Sequence, residues 1–148
     1  MDEQNATRLE TLKSYGDYFA QLSPETIENL HHLVTPDYSF TDPFNTINGP
    51  DRVCAYLDKM FRDTENPQFI VTHHALDDDL GFLRWRFTAR ISVLGNWDVT
   101  GMSAVTFSDD GTRISSHVDH WDSGMAFYAR IPLVGWFIRR LAARMAVS

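Results

Sequence analysis

The chain contains a single cysteine, Cys54, among 148 residues. An intramolecular disulfide is therefore excluded, no pair of cysteines stands at zinc-ligand spacing, and a reducing, cytoplasmic setting is expected. No apolar stretch approaches the ~20 residues that cross a bilayer. The opening Met1-Asp2-Glu3-Gln4-Asn5 lacks a basic start and an apolar run, so neither a secretory nor a transit signal is expected. Glycine-rich phosphate loops and a nucleophile elbow are also missing, which removes nucleotide binding and serine hydrolysis as readings. Acidic charge is absent from one end only. Residues 1 to 122 hold all 20 acidic side chains and nine of the 13 Lys and Arg, a net −11, whereas residues 123 to 148 hold four Arg and no acid, +4. A body so acidic repels nucleic acid, and no nucleic-acid partner is expected.

What remains fits one domain, since a chain of this length buries roughly 70% of its unfolded surface without staples. Leu9, Leu12, Tyr15, Phe19 and Leu22 recur at threes and fours, which predicts a helix over 6 to 22. Ser23-Pro24 predicts the start of a second helix, capped by Ser23 and running through Leu30, Leu33 and Val34 until Thr35-Pro36-Asp37 breaks it. Tyr38 to Thr41 alternates as a short strand ending at Asp42-Pro43. A third helix follows Gly49 through Val53, Tyr56, Leu57, Met60 and Phe61. From Gln68 the period becomes two, most cleanly where Leu83, Trp85, Phe87, Ala89, Ile91 and Val93 alternate with Arg84, Arg86, Thr88, Arg90 and Ser92. Turn signals separate four strands near 67 to 76, 82 to 94, 97 to 107 and 112 to 122. The fold class is α+β: an antiparallel meander with the N-terminal helices covering one face of the sheet, and a C-terminal amphipathic helix.

The order of elements, with Phe40-Thr41-Asp42-Pro43-Phe44 closing the first strand and His117-Val118-Asp119-His120-Trp121-Asp122 closing the last, resembles the SnoaL-like and ketosteroid-isomerase-like branch of the nuclear-transport-factor-like superfamily. The resemblance covers about residues 6 to 128. It implies a cone-like curved antiparallel sheet wrapped around the N-terminal helices, an internal pocket closed by those helices, frequent dimers, and activities ranging from isomerases, cyclases, epoxide hydrolases and dehydratases to proteins without catalysis.

The isomerases of that branch carry a general-base Asp before Pro at the end of the first strand, where Asp42 stands, and a helix tyrosine as oxyanion donor, which Tyr18 resembles. Their second, protonated acid is replaced here by Ser103, so steroid isomerisation is not expected. The alternative for Asp42 is a cap of the following turn, and for Tyr18 a core ring with its hydroxyl at a polar edge. On the last strand His117, Asp119 and Trp121 share one face. Asp119 resembles the general acid or base of the cyclase branch, and His117, two residues away, is placed to share its proton. A satisfied pair finishing the sheet edge is the alternative. Epoxide hydrolysis is disfavoured because Arg84-Trp85-Arg86-Phe87-Thr88 lacks the central acid which that chemistry needs.

Asp42, Asp119, Tyr18 and His117 are thus the candidate catalytic residues, and Trp121, Ser103, Trp85, Phe87, Phe40 and Tyr56 the candidate ligand contacts. Neither metal nor cofactor is expected, because His31-His32 and His73-His74 are adjacent pairs whose members diverge and make no chelating set with nearby carboxylates. The expected activity is a cofactor-independent isomerase, cyclase or dehydratase acting on a small apolar, carbonyl-bearing ligand, with a non-catalytic binding or accessory protein as the alternative. A homodimer is expected. Residues 1 to 130 form the pocket domain. Residues 131 to 148 form a basic amphipathic extension in which Trp136, Phe137, Ile138, Leu141 and Met145 oppose Arg139, Arg140 and Arg144. Docking of this helix on its own acidic body or on a partner is favoured over contact with a membrane surface.

Overall fold

The computed structural model describes residues 2–147; Met1 of the polar opening and Ser148 of the extension lie outside them. Asp2 caps α1, Glu3–Ala20, by accepting the Asn5 amide at 2.7 Å, which satisfies one of the orphan N–H groups of the first turn. Leu12, Tyr15 and Phe19 form the buried stripe expected from their spacing, with Tyr18 beside them.

The expected second helix is a 3-10 turn, Ile27–His32, of 6 residues. Ser23 does not cap it; its amide instead donates to the Thr26 hydroxyl at 3.0 Å, and Thr26 is the capping residue, with no side-chain bond to the amides of the turn it precedes. The β-branched pair Val34 and Thr35 favours extended backbone, so β1, Val34–Thr41, begins where the helix was expected to continue. Pro36 is tolerated inside this strand because the pairing register shifts between Val34 and Ser39, at an irregularity that needs no ladder N–H from it. A short β2, Thr46–Asn48, folds back on β1. Gly49, at φ 88°, then opens α2, Pro50–Asp63, with proline in the first turn.

The meander follows as β3, Glu65–Asp77; β4, Leu80–Ile91; β5, Gly95–Phe107; and β6, Ile114–His120. The six strands run in the order β2-β1-β6-β5-β4-β3. All neighbours are antiparallel except β1 and β6, which are parallel, a correction to the wholly antiparallel sheet read from the sequence. The long excursion through α2 and the meander brings β6 back alongside β1 in the same direction, and such pairing leaves no hairpin turn to be read. On β4, Leu83, Trp85, Phe87 and Ala89 are buried as expected, but Val93 is 65% exposed because the strand stops at Ile91 and Val93 belongs to the turn. The helices α1 and α2 pack on the inner face of the curved sheet, and the space between them is the cavity described below.

The tail continues as α3, Ser123–Ala126, a 3-10 turn at Tyr128–Arg130, and α4, Val134–Met145. A methyl group at Gly135 would lie 2.0 Å from the Ala129 carbonyl oxygen, so only glycine lets α4 approach that turn. Arg139 donates to the same carbonyl, and Arg130 donates to the carbonyls of Leu94 and Asn96 at 2.9 Å each. The mooring uses the Gly135 and Arg139 side of α4. Phe137, Leu141 and Met145 are consequently 65%, 66% and 84% exposed, which corrects the own-body half of the expectation that the helix docks on its own body or on a partner.

Candidate functional site

The strand register assembles the site. Asp119 on β6 lies opposite Ser103 on β5, and His117 lies opposite Val105 on one side and Phe40 of β1 on the other. The Phe40 and His117 rings stack with centroids 4.6 Å apart. Trp85 lies opposite Gly101, where any side chain would strike the indole within 2.5 Å; the missing Cβ lets the ring cross β5 and donate from Nε1 to Ser103 Oγ at 2.8 Å. Ser103 in turn donates to Asp119 Oδ1 at 2.6 Å.

A second chain of hydrogen bonds reaches the same oxygen. His117 Nε2 is 2.6 Å from Asp119 Oδ1, its Nδ1 is 2.7 Å from the Tyr15 hydroxyl, and that hydroxyl bonds the hydroxyl of Tyr38. One assignment gives every group a role: Tyr38 donates to Tyr15, Tyr15 to Nδ1, and Nε2–H to the carboxylate. Burial is the main cause that pushes both phenols well above their ordinary value, which keeps them as donors. Asp119 Oδ1 therefore accepts two bonds, while Oδ2 takes none among the described residues. The His117 and Asp119 side chains are 4% and 14% exposed, and both line the cavity.

That cavity has a volume of about 270 Å³, near the lower end of small-molecule sites. Phe40, Phe69, Trp85, Phe87, Trp97 and Trp121 supply much of its apolar wall. Its polar groups include Asp42 and Tyr56 besides Ser103, His117 and Asp119. Asp42 Oδ1 accepts the amides of Phe44 at 2.8 Å and Asn45 at 2.7 Å and the Asn45 side chain at 3.3 Å, while Oδ2 accepts the Tyr56 hydroxyl. Burial first, and then the bond to Asp42, pushes the Tyr56 phenol upward and keeps it a donor.

Of the residues singled out in the sequence, Asp42, His117, Asp119, Phe40, Tyr56, Trp85, Phe87, Ser103 and Trp121 all border this one cavity. Tyr18 does not. Its hydroxyl donates to the Ile27 carbonyl at 2.8 Å, so the expectation that it supplies an oxyanion donor is corrected. Tyr15, read as part of the apolar stripe of α1, and Tyr38, read as part of a short strand, are the tyrosines that reach the polar chain. Tyr38, Phe40 and Asp42 stand two apart along β1 and its end, and that alternation was the available signal for Tyr38.

Away from the cavity, the fold brings ligand atoms of Glu28, His31 and Cys54 within 4.8 Å of one another, a juxtaposition not expected for His31. His31 Nε2 lies 2.6 Å from Asp51 Oδ1, and the buried Cys54 thiol is pushed up to about 11, chiefly by burial. Of the three, only Cys54 is buried, and Glu28 is exposed.

Residues 15–117 match the SnoaL-like domain. The chain belongs to that family. No functionally curated protein is significantly similar to it in sequence. Its fold is similar to that of a protein from Jannaschia sp. CCS1 classed as a SnoaL-like polyketide cyclase, with TM-score 0.73 at 14% identity over 90% of this chain and 96% of the other. It is also similar to the BvnE pinacolase of Penicillium brevicompactum, with TM-score 0.69 at 13% identity over 97% and 96%. An LEH-like epoxide hydrolase of M. tuberculosis gives 0.63 at 14% identity over 95% and 96%. At these identities the likeness is one of fold.

Proposed function

We propose that the cavity is the active site of a cofactor-independent isomerase, cyclase or dehydratase in which Asp119 moves a proton on an apolar, carbonyl-bearing ligand. The observation that carries this reading is the asymmetry of its carboxylate: Oδ1 is held by Ser103 and His117, and Oδ2 is left without a partner among the described residues on the wall of an apolar cavity. Held from behind, Oδ2 takes a proton from the carbon beside the carbonyl. The C–H electron pair becomes the C=C of an enolate, and the carbonyl π pair moves to oxygen. The Asp119 acid then returns the proton to another carbon, or delivers it to a departing hydroxyl. Tyr56 stands on the same wall with its single O–H proton committed to Asp42 Oδ2. His117, Tyr15 and Tyr38 act through Asp119 as positioning residues.

Asp42 has a smaller part in this scheme than the resemblance implied. Its two oxygens already accept the Phe44, Asn45 and Tyr56 donors. The same saturation favours the second reading, a ligand-binding protein without catalysis.

The two readings separate with a panel of small cyclic ketones. Binding is followed by the fluorescence of Trp85, Trp97 and Trp121, and loss of α-protons in D₂O by NMR. Catalysed exchange of a ketone that also quenches the tryptophans is the expected result. Saturable quenching with no exchange above the solvent rate would establish the binding protein, and neither signal would remove the apolar ketone as the ligand class.

A further inference from the structure

We propose that α4 is an interfacial anchor whose apolar stripe inserts into the surface of an anionic lipid bilayer while its arginines meet the headgroups. The stripe is preformed. Val134, Phe137, Ile138, Leu141 and Met145 fall on one side of the helix, and the mooring at Gly135 and Arg139 turns that side away from the body. Leu133, at the start of the helix, adds another apolar side chain at 81% exposure. So large a contiguous exposed apolar surface marks a contact with something outside the chain.

Two protein occupants fit poorly. Among the described residues a second copy's body offers no matching apolar surface, because the exposed large hydrophobics before residue 123 are Phe44, Ile70, Val93 and Met102, scattered over a loop, two strands and a turn. Pairing α4 with α4 would bring two sets of Arg139, Arg140 and Arg144 together where residues 123 to 148 hold no acid to offset them. An anionic bilayer satisfies both halves of the helix, taking the apolar stripe into its acyl boundary and the cations at its headgroups. Arg140 lies 5.2 Å over the Trp136 ring, an amphipathic pair suited to the headgroup level. The negative body, at −11, keeps the rest of the molecule off the anionic surface and so orients it.

Residues Phe127 and Tyr128, which lead into α4, pack on Phe44, with ring centroids 5.1 and 6.2 Å away. Phe44 lines the cavity, so the anchored face adjoins its rim. The anchor is independent of the chemistry proposed for that cavity.

The test uses the full chain and vesicles of phosphatidylcholine with or without about one third phosphatidylglycerol. Wild-type protein should float with the anionic vesicles and much less with the neutral ones. The exposed double variant Phe137→Ser with Leu141→Ser should lose about tenfold or more in lipid affinity, with its circular dichroism and thermal unfolding unchanged. Arg140→Gln with Arg144→Gln should lose the preference for anionic lipid. Absence of wild-type flotation overturns the proposal, as does flotation that the serine variant retains. A wild-type dimer in sedimentation velocity that the serine variant converts to monomer, without flotation of either, would assign the stripe to a second copy instead.

Discussion

Asp42 and Asp119 border the same cavity and differ in what surrounds their oxygens. Asp42 closes its own turn: both oxygens are occupied, by Phe44, Asn45 and Tyr56. Asp119 is held by one oxygen only, through side chains contributed by β5 and β6. The difference teaches that placement on a cavity wall does not make a carboxylate available. Local backbone donors engage an Asp before a turn, whereas a strand Asp, whose neighbours' amides belong to the ladder, must be held by side chains, and these can leave one oxygen free.

The comparison breaks if the Asp119 side is not the more finely supported one. Gly101→Ala should give the largest loss of stability. Its new methyl group would meet the Trp85 indole at 2.5 and 2.6 Å and the His120 carbonyl at 3.0 Å. Overpacking of this kind costs about 1–3 kcal/mol. Denaturant unfolding measures that cost, and a neutral result would mean that Trp85 is not locked behind Ser103.

The middle place of Tyr15 in the tyrosine chain gives a sharper test. Tyr15→Phe leaves His117 Nδ1 without a donor and the Tyr38 hydroxyl without an acceptor, and should cost about 2 kcal/mol. Tyr38→Phe removes only the terminal donor and should cost about 1 kcal/mol. The opposite order in equilibrium unfolding would mean that Tyr15 is not the link between Tyr38 and His117.

A smaller effect is expected in alkali. Tyr15 and Tyr38 titrate above the ordinary phenol value of 10 in the folded protein, mainly because they are buried. Their raised folded values mean that the contribution to stability is complete below 10 and is lost as pH rises from there toward those values. Thermal unfolding followed from about pH 8 to about pH 11 should reach only the onset of this loss, with Tyr38→Phe showing a shallower decline than wild type. Equal slopes would mean that the phenols are not closed off from water.

Much of this arrangement was legible in the sequence wherever a periodicity carries it. The alternation through Leu83, Trp85, Phe87 and Ala89 marks one wall of the cavity, and the two-residue spacing of His117, Asp119 and Trp121 puts them on a common face. The chain of tyrosines was not legible, because Tyr15 meets His117 across a separation of 102 residues and no local pattern encodes such a meeting. Tyr15 and Tyr18 stand three apart on one helix, so spacing alone does not decide which of them reaches the polar groups; the position of the 3-10 turn does, by giving Tyr18 the Ile27 carbonyl. The parallel pairing of β1 with β6 and the space above Gly101 are likewise properties of the assembled sheet.

The most direct measurement compares Asp119→Asn with Asp42→Asn in α-proton exchange of a bound ketone, with tryptophan quenching to verify that each variant still binds. Asp119→Asn should lower the exchange rate by about 10²–10⁴-fold at nearly unchanged affinity, and Asp42→Asn by less than about tenfold with a measurable loss of stability. An exchange rate that survives in Asp119→Asn and collapses in Asp42→Asn would contradict the assignment of Asp119 as the proton-transfer group.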